Sequence, residues 1–291
     1  MPHPKLIVTA LHYYPIKSCA GIAINSAEIG ARGIKDDRGW LVVDAKNRFV
    51  TQREIPKMAL IKGTVQENGL ARMIKLEAPG LPPLLVPEAI ASNPSNELAD
   101  RSVVVWDDTC NAIDQGDEAA NWLTRYLGKA SLRLVRMEQD NIRPVKSERD
   151  DATESRVAFQ DGYPFLILTS ASLDELNRRL EQSTQTEGQF LELPLPMDRF
   201  RPNIVIEGAE PFAEDDWKEI RIGDVVFELD SGCPRCTITT VNQKTADRGI
   251  EPLKTLAKFR KTEDNKVMFG QNAIHRNSGA IKVGDEVAIL K

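Results

Sequence analysis

The chain has 291 residues, 41% of them hydrophobic and 28% charged, with a formal net charge of −5 and a pI near 5.5. That balance argues against a general nucleic-acid or anionic-membrane partner, since both need a net basic face, and no apolar run reaches the ~20 residues of a membrane span. Four cysteines at irregular spacings make no disulfide framework, and Met1 to Val8 lacks a basic region followed by a long apolar stretch, so a cytoplasmic location is expected.

In chain order, Leu6–Tyr14, Gly39–Asp44, Ala59–Val65 and Met73–Leu76 alternate with period two and predict short strands, separated by turns such as Asp44–Asn47. Ala78–Pro87 is too rich in proline for a central strand, and Ser92–Asn96 is polar loop. Val103–Trp106 predicts a further strand. Asp117 caps a predicted helix with Ala119, Trp122, Leu123, Tyr126 and Leu127 on one face and Gly128 as its stop. That stripe is read as core. Gln139–Ala152 is charged and aperiodic and predicts an exposed connection at a domain boundary, with Arg143 and Lys146 solvated.

Beyond the boundary, Tyr163–Leu168 is an apolar strand, and Ser172 with Glu175 predicts a capping box for a helix burying Leu173, Leu176 and Leu180. Glu181–Gly188 reads as loop. Glu219–Leu229 and Ala280–Leu290 each read as strand, Gly-Asp turn, strand, hence two hairpins of a sheet that closes as a barrel. The expected class is α+β and β-rich: a β-barrel-like portion over 1–138, then a β-barrel with a few helices over 139–291.

Chemistry concentrates in Asp230–Val241, which holds Cys233, Pro234, Arg235 and Cys236. Two thiols at this spacing suit a redox dithiol, half of a zinc site, or a thiolate ligand for another metal centre. Thr237 to Val241 are all β-branched and predict strand, which removes the helix N-terminus a thioredoxin-like dithiol uses to lower its pKa. Cys19, Cys110, His3, His12 and His275 lie too far apart to complete a zinc tetrahedron. A buried, inert pair remains open beside a single reactive thiolate next to Arg235.

Basic residues recur at turns: Lys17 beside Ser18, Arg38 after Asp36 and Asp37, Arg53, Arg199, Arg201 and Arg235. Guanidinium forks with turn N–H groups suit a phosphate-bearing ligand, while no GxGxxG or GxxxxGK[ST] loop is present.

Tyr14–Gly21, Asp37–Trp40, Val50–Arg53, Asp198–Val205, Cys233–Val241 and Phe269–Asn272 resemble, in order and nearly end to end, the motifs of the MOSC-domain molybdenum enzymes. The similarity is to the group containing the mitochondrial amidoxime-reducing component and its bacterial relatives. The resemblance implies a MOSC N-terminal β-barrel domain and a MOSC domain, and a molybdenum cofactor (Mo-molybdopterin) with Cys236 as the protein thiolate and Cys233 accessory. A soft thiolate agrees with that metal. By the same resemblance Lys17, Ser18, Arg38, Arg201, Pro234 and Arg235 correspond to pterin and phosphate contacts, and Asp161 and Asn272 join them. The chain departs from the family pattern after Thr-Thr-Val, where Asn242-Gln243 replaces the usual Asp-Pro.

The implied reaction is two-electron reduction of N-oxygenated compounds such as amidoximes, hydroxylamines and N-hydroxylated bases, the oxygen leaving as water. The chain ends at Lys291 without further cysteines, so electrons are expected from a separate protein, a flavin reductase or a ferredoxin- or cytochrome-type carrier. The alternative is a MOSC-type sulfur carrier with a persulfide on Cys236 and no catalytic molybdenum. Pocket shape is expected to depend on the loop Gly188–Leu193.

Overall fold

The computed structural model describes residues 5–67, 69, 71–88, 100–147, 155–187 and 192–291. In chain order it contains β1 (Ile7–Tyr13), β2 (Ile22–Ile24), β3 (Ser26–Gly30), β4 (Gly33–Ile34), β5 (Trp40–Val43), β6 (Lys62–Glu67), β7 (Arg72–Ala78), β8 (Leu81–Pro87), β9 (Asp100–Val105), β10 (Asp108–Asp114), α1 (Asp117–Leu127) and β11 (Arg133–Met137). There follow β12 (Phe165–Thr169), α2 (Ser170–Glu187), β13 (Ile204–Glu207), β14 (Glu219–Ile222), β15 (Val225–Pro234), α3 (Leu253–Leu256), β16 (Met268–His275), β17 (Gly279–Lys282) and β18 (Val287–Ile289). The molecule is β-rich α+β, as its period-two patterning predicts. Among the described residues no helix is long and apolar enough to cross a membrane.

The largest sheet runs β18-β14-β15-β16-β12-β13-β1-β2. Its ends meet: the Val8 N–H donates to the Asp285 carbonyl (2.9 Å), Gly284 to Val8 (2.8 Å) and Val287 to Leu6 (2.8 Å). The first half of β1 therefore lies between β13 and the segment entering β18, and the sheet closes as a barrel, leaving no free edge along that seam. Alternate residues fill its interior, among them Val8, Leu11, Ile167, Ile204, Ile206 and Ala273, with Phe165 edge-on to Phe227 at 5.0 Å. Sheets β5-β11-β10-β9 and β6-β7-β8 and helix α1 enclose further apolar clusters, one of which places Ile16, Cys19 and Trp40 beside Trp122 and Leu123.

The proline-rich segment forms β8, and it does so at the edge of its sheet, where a missing N–H is tolerated. Gly128 ends α1 in the left-handed region at φ +69°. Several expectations are corrected. Asp117 is the first residue of α1 behind Gly116, whose N–H donates to Asp114 Oδ1. Thr169 caps α2, its Oγ1 accepting from the Ser172 N–H at 3.2 Å, while Glu175 pairs with Arg178 and Arg179. Helix α2 continues through the predicted loop to Glu187.

The second Gly-Asp segment is not a hairpin, because β17 pairs with β3 and β18 with β14. Residues 237–240 form a 3-10 turn rather than a strand: the Thr239 and Thr240 hydroxyls donate to the Cys236 and Thr237 carbonyls, offering a local alternative that β-propensity does not register. Arg143 is buried, not solvated. Its guanidinium donates to the Ala158, Gln160 and Asp161 carbonyls and to Asp108, so it pins the segment that carries Asp161. Of the remaining sequence expectations, Ser92–Asn96, residues 148–152 and residues 188–191 lie outside the described residues.

Candidate active site

Five segments converge on one cleft: the turn after β1, the turn before β5, the residues preceding β12, those preceding β13, and the end of β15. The first is folded by the Cys19 N–H donating to the Ile16 carbonyl, with Ser18 at φ +62°. Gly21 is required there, because a Cβ would stand 2.4 Å from the Tyr14 ring. Arg38 (φ +51°) and Arg201 (φ +58°) also occupy the left-handed region. Each such non-glycine residue costs about 1–2 kcal/mol, and strain of this kind persists where the surroundings over-determine it.

Those surroundings are visible. The Arg38 and Arg201 guanidinium groups both lie over the buried Tyr14 ring, at 4.1 and 4.3 Å from its centroid. The Tyr14 hydroxyl donates to the Pro202 carbonyl at 3.0 Å, and burial, opposed by Arg201, pushes its pKa up to about 12. Asp37 accepts from the Tyr14 N–H (2.8 Å), Arg38 Nη1 (2.5 Å) and Gln160 Nε2 (3.3 Å). Asn203 Oδ1 accepts from Arg38 Nη1 at 3.2 Å, and Arg201 Nη1 donates to the Cys19 carbonyl at 2.6 Å.

The cysteine loop leaves β15 at Pro234. Arg235 Nη2 donates to the Phe200 carbonyl (2.6 Å) and Nη1 to Cys233 Sγ (3.1 Å), so the thiol beside the guanidinium is Cys233. Burial pushes the Cys233 thiol up, against the pull of Arg235. Cys236 stands in extended conformation, half-buried and free. Asn272, from neighbouring β16, reaches Gly232 and Ser231 at 3.4 Å. At the departure from the family pattern, Asn242 Oδ1 accepts from the Lys244 and Thr245 N–H groups, so an Asx turn takes the place of the missing proline.

Lys17 is buried, and its ammonium donates to the Phe159 carbonyl (2.6 Å) and Asp161 Oδ1 (2.5 Å). Burial lowers the Lys17 pKa, and Asp161 partly restores it. Desolvation works against the charge on Asp161, but the Lys17 ammonium and the Trp106 indole N–H hold its carboxyl well below the usual carboxylate range. A carboxyl depressed on folding contributes stability above its unfolded value near pH 4 and loses it as pH falls through the folded value. In a carbon-detected titration Asp161 is therefore expected to remain ionised at pH 3.5, where an unperturbed aspartate is more than half protonated; a midpoint near 4 would show the pair to be absent in solution.

All nine residues singled out from the sequence, Lys17, Ser18, Arg38, Asp161, Arg201, Pro234, Arg235, Cys236 and Asn272, line this cleft, with Arg53. Arg199 does not; it is buried with Nη1 donating to the Thr239 carbonyl. The lining carries five cations, Lys17, Arg38, Arg53, Arg201 and Arg235, against one carboxylate, Asp161, in a chain whose net charge is −5. Asn203, which the sequence reading places in the Asp198–Val205 motif without a site role, and Gln160, which it missed, also line it; both contact the Asp37–Arg38 turn, which spacing does not reveal.

The matches to known families decide the kinship. Residues 5–130 match the MOSC N-terminal beta barrel domain and residues 154–288 the MOSC domain. The chain belongs to the MOSC family. Among MOSC relatives, "Mitochondrial amidoxime-reducing component 1" of Mus musculus is 36% identical over 97% of this chain and 82% of its own length. "Mitochondrial amidoxime reducing component 2" of Bos taurus is 35% identical over 96% and 82%. "Molybdenum cofactor sulfurase" of Danio rerio is 32% identical over 93% of this chain but only 32% of its own length.

The donor set of this MOSC cleft fits a metal carried by an anionic organic group. No cluster of three or more His, Cys, Asp and Glu among the described residues could hold a metal ion, so a metal on Cys236 would take its other ligands from a non-protein group. Arg235 Nε is buried with no hydrogen-bond partner among the described residues, a donor that a phosphate-bearing pterin would satisfy.

Proposed function

We propose that this protein is a molybdenum-cofactor-dependent reductase of N-hydroxylated compounds, among them amidoximes, hydroxylamines and N-hydroxylated bases, supplied with electrons by a separate protein. The observation that carries the reading is the union, in one cleft of an acidic chain, of a free Cys236 with five cations. The 36% identity to a protein named as an amidoxime-reducing component, along 97% of this chain, supports it.

When bound, the cofactor supplies a metal that takes oxygen from an N–O group and cycles by two electrons, so that the N-hydroxyl compound, two electrons and two protons become the corresponding N–H compound and water. The chain supplies the rest. Cys236 offers the thiolate. Arg201, Arg38 and Arg235 present planar donor forks to phosphate and pterin oxygens, and Ser18, Pro234 and Asn272 shape the cradle. Lys17 and Asp161 hold each other at its wall as an ion pair.

Metal analysis of the purified protein tests the reading. Near-stoichiometric molybdenum is expected, with reduction of benzamidoxime driven by reduced methyl viologen and none by NADPH alone. Arg201→Ala is expected to lower molybdenum occupancy, a charged hydrogen bond being worth about 1.5–3 kcal/mol. Sulfane sulfur on Cys236 without molybdenum would overturn the reading in favour of a sulfur carrier.

A further inference from the structure

Trp106 sits at the turn between β9 and β10 with φ +57° and 38% of its surface exposed. Both features act against stability: a bulky side chain is strained in the left-handed region, and an indole in water forgoes its burial energy. A turn of this kind is better served by Asn or Gly. The indole is nevertheless held firmly. Its ring lies 5.1 Å from that of Phe49, the Arg53 guanidinium stands over it at 4.6 Å, and Nε1–H donates to Asp161 Oδ1 at 2.9 Å. Phe49 in turn lies under the Lys17 ammonium at 5.6 Å. Arg53, Asp161 and Lys17 all line the cleft, so the indole packs against residues of its wall.

We propose that Trp106 is a specificity-determining residue, an aromatic platform over which a planar, delocalised N-hydroxylated substrate or its aryl substituent stacks. The inference rests on the reductase reading and names the substrate class that this site favours. Arg53 shows what the indole face accepts: a flat N–C–N cation, the shape of an amidine or guanidine, held by the ring quadrupole. A planar amidoxime or its amidine product would stack on the indole by taking the place of the Arg53 guanidinium, whereas hydroxylamine has no delocalised plane with which to do so.

The test compares Trp106→Ala, Trp106→Leu and Trp106→Phe as loaded enzymes. In Trp106→Ala the ratio of kcat/KM for benzamidoxime to that for hydroxylamine is expected to fall roughly tenfold, mainly through KM. Trp106→Leu restores apolar bulk without a π face and should fall similarly, while Trp106→Phe should stay within about threefold of the parent. Should Trp106→Ala fail to fold, the contrast between Leu and Phe decides. Molybdenum content and the dissociation constant of benzamidine, the reduced product, are measured alongside, and the latter is expected to rise about tenfold in Trp106→Ala.

An unchanged ratio overturns the proposal. A uniform loss for both substrates together with loss of molybdenum also overturns it, because Trp106 would then act only by orienting Asp161. If the parent enzyme binds molybdenum yet reduces neither compound, it is the reductase reading that fails. Benzamidine binding that depends on Trp106 would still support the platform, and its absence would remove it.

Discussion

Replacing Cys236 by serine is expected to abolish turnover of N-hydroxylated substrates, a loss above ~100-fold, since even supporting residues around a metal are worth 10–100-fold. An alkoxide is a harder and less covalent ligand than a thiolate, so the optical spectrum and the redox behaviour of bound molybdenum should change with it. Cys233→Ser should be milder. The Cys233 sulfur is engaged by Arg235 Nη1 at 3.1 Å, which suits a positioning contact. Equal losses in the two variants would point to a dithiol that works as a unit and would remove Cys236 from its separate role.

Asp37→Ala is expected to be the most destabilising single change near the site. The Asp37 carboxylate is fully buried and its partner Arg38 is 13% exposed, and it also accepts from the Tyr14 N–H and Gln160 Nε2. Removing it leaves Arg38 uncompensated above the Tyr14 ring, and breaking a buried pair costs about 3–5 kcal/mol. For a chain of this size that corresponds to a Tm lower by roughly 10 °C. Asp37→Asn keeps an acceptor for the Tyr14 N–H and should fall between. A Tm within about 3 °C of the parent for Asp37→Ala would show that the left-handed conformation of Arg38 is held by something other than this carboxylate.

Period-two patterning made most of the strands legible, because one face of each is core and alternation is what burial on one face requires. Two of the errors are long-range in origin and one is local. The segment 280–290 has the turn chemistry of a hairpin, but β17 finds β3 and β18 finds β14, choices made by residues far away in sequence. Arg143 sits among charged neighbours and looked solvated, yet its partners are backbone carbonyls of residues 158, 160 and 161, and carbonyls leave no trace in a sequence. Residues 237–240 carried a strand propensity that two threonine hydroxyls overrode.

The cleft was more legible than the fold. Its thiols and cations are chemically conspicuous residue types gathered in short motifs, and all nine sequence candidates line it. What escaped notice was the role of the uncharged groups that hold them, Asn203, Gln160 and the Tyr14 ring.

The seam between β1 and the segment entering β18 bears on the timing of synthesis. Lys17, Ser18 and Arg38 leave the ribosome early and Asn272 late, while β1 acquires its neighbours β13 and 284–287 only after most of the chain has emerged. Contacts of such sequence separation form slowly, and until they form the early cations have no cleft to line. A chain truncated before β16 therefore carries its thiols and cations without the cleft that brings them together.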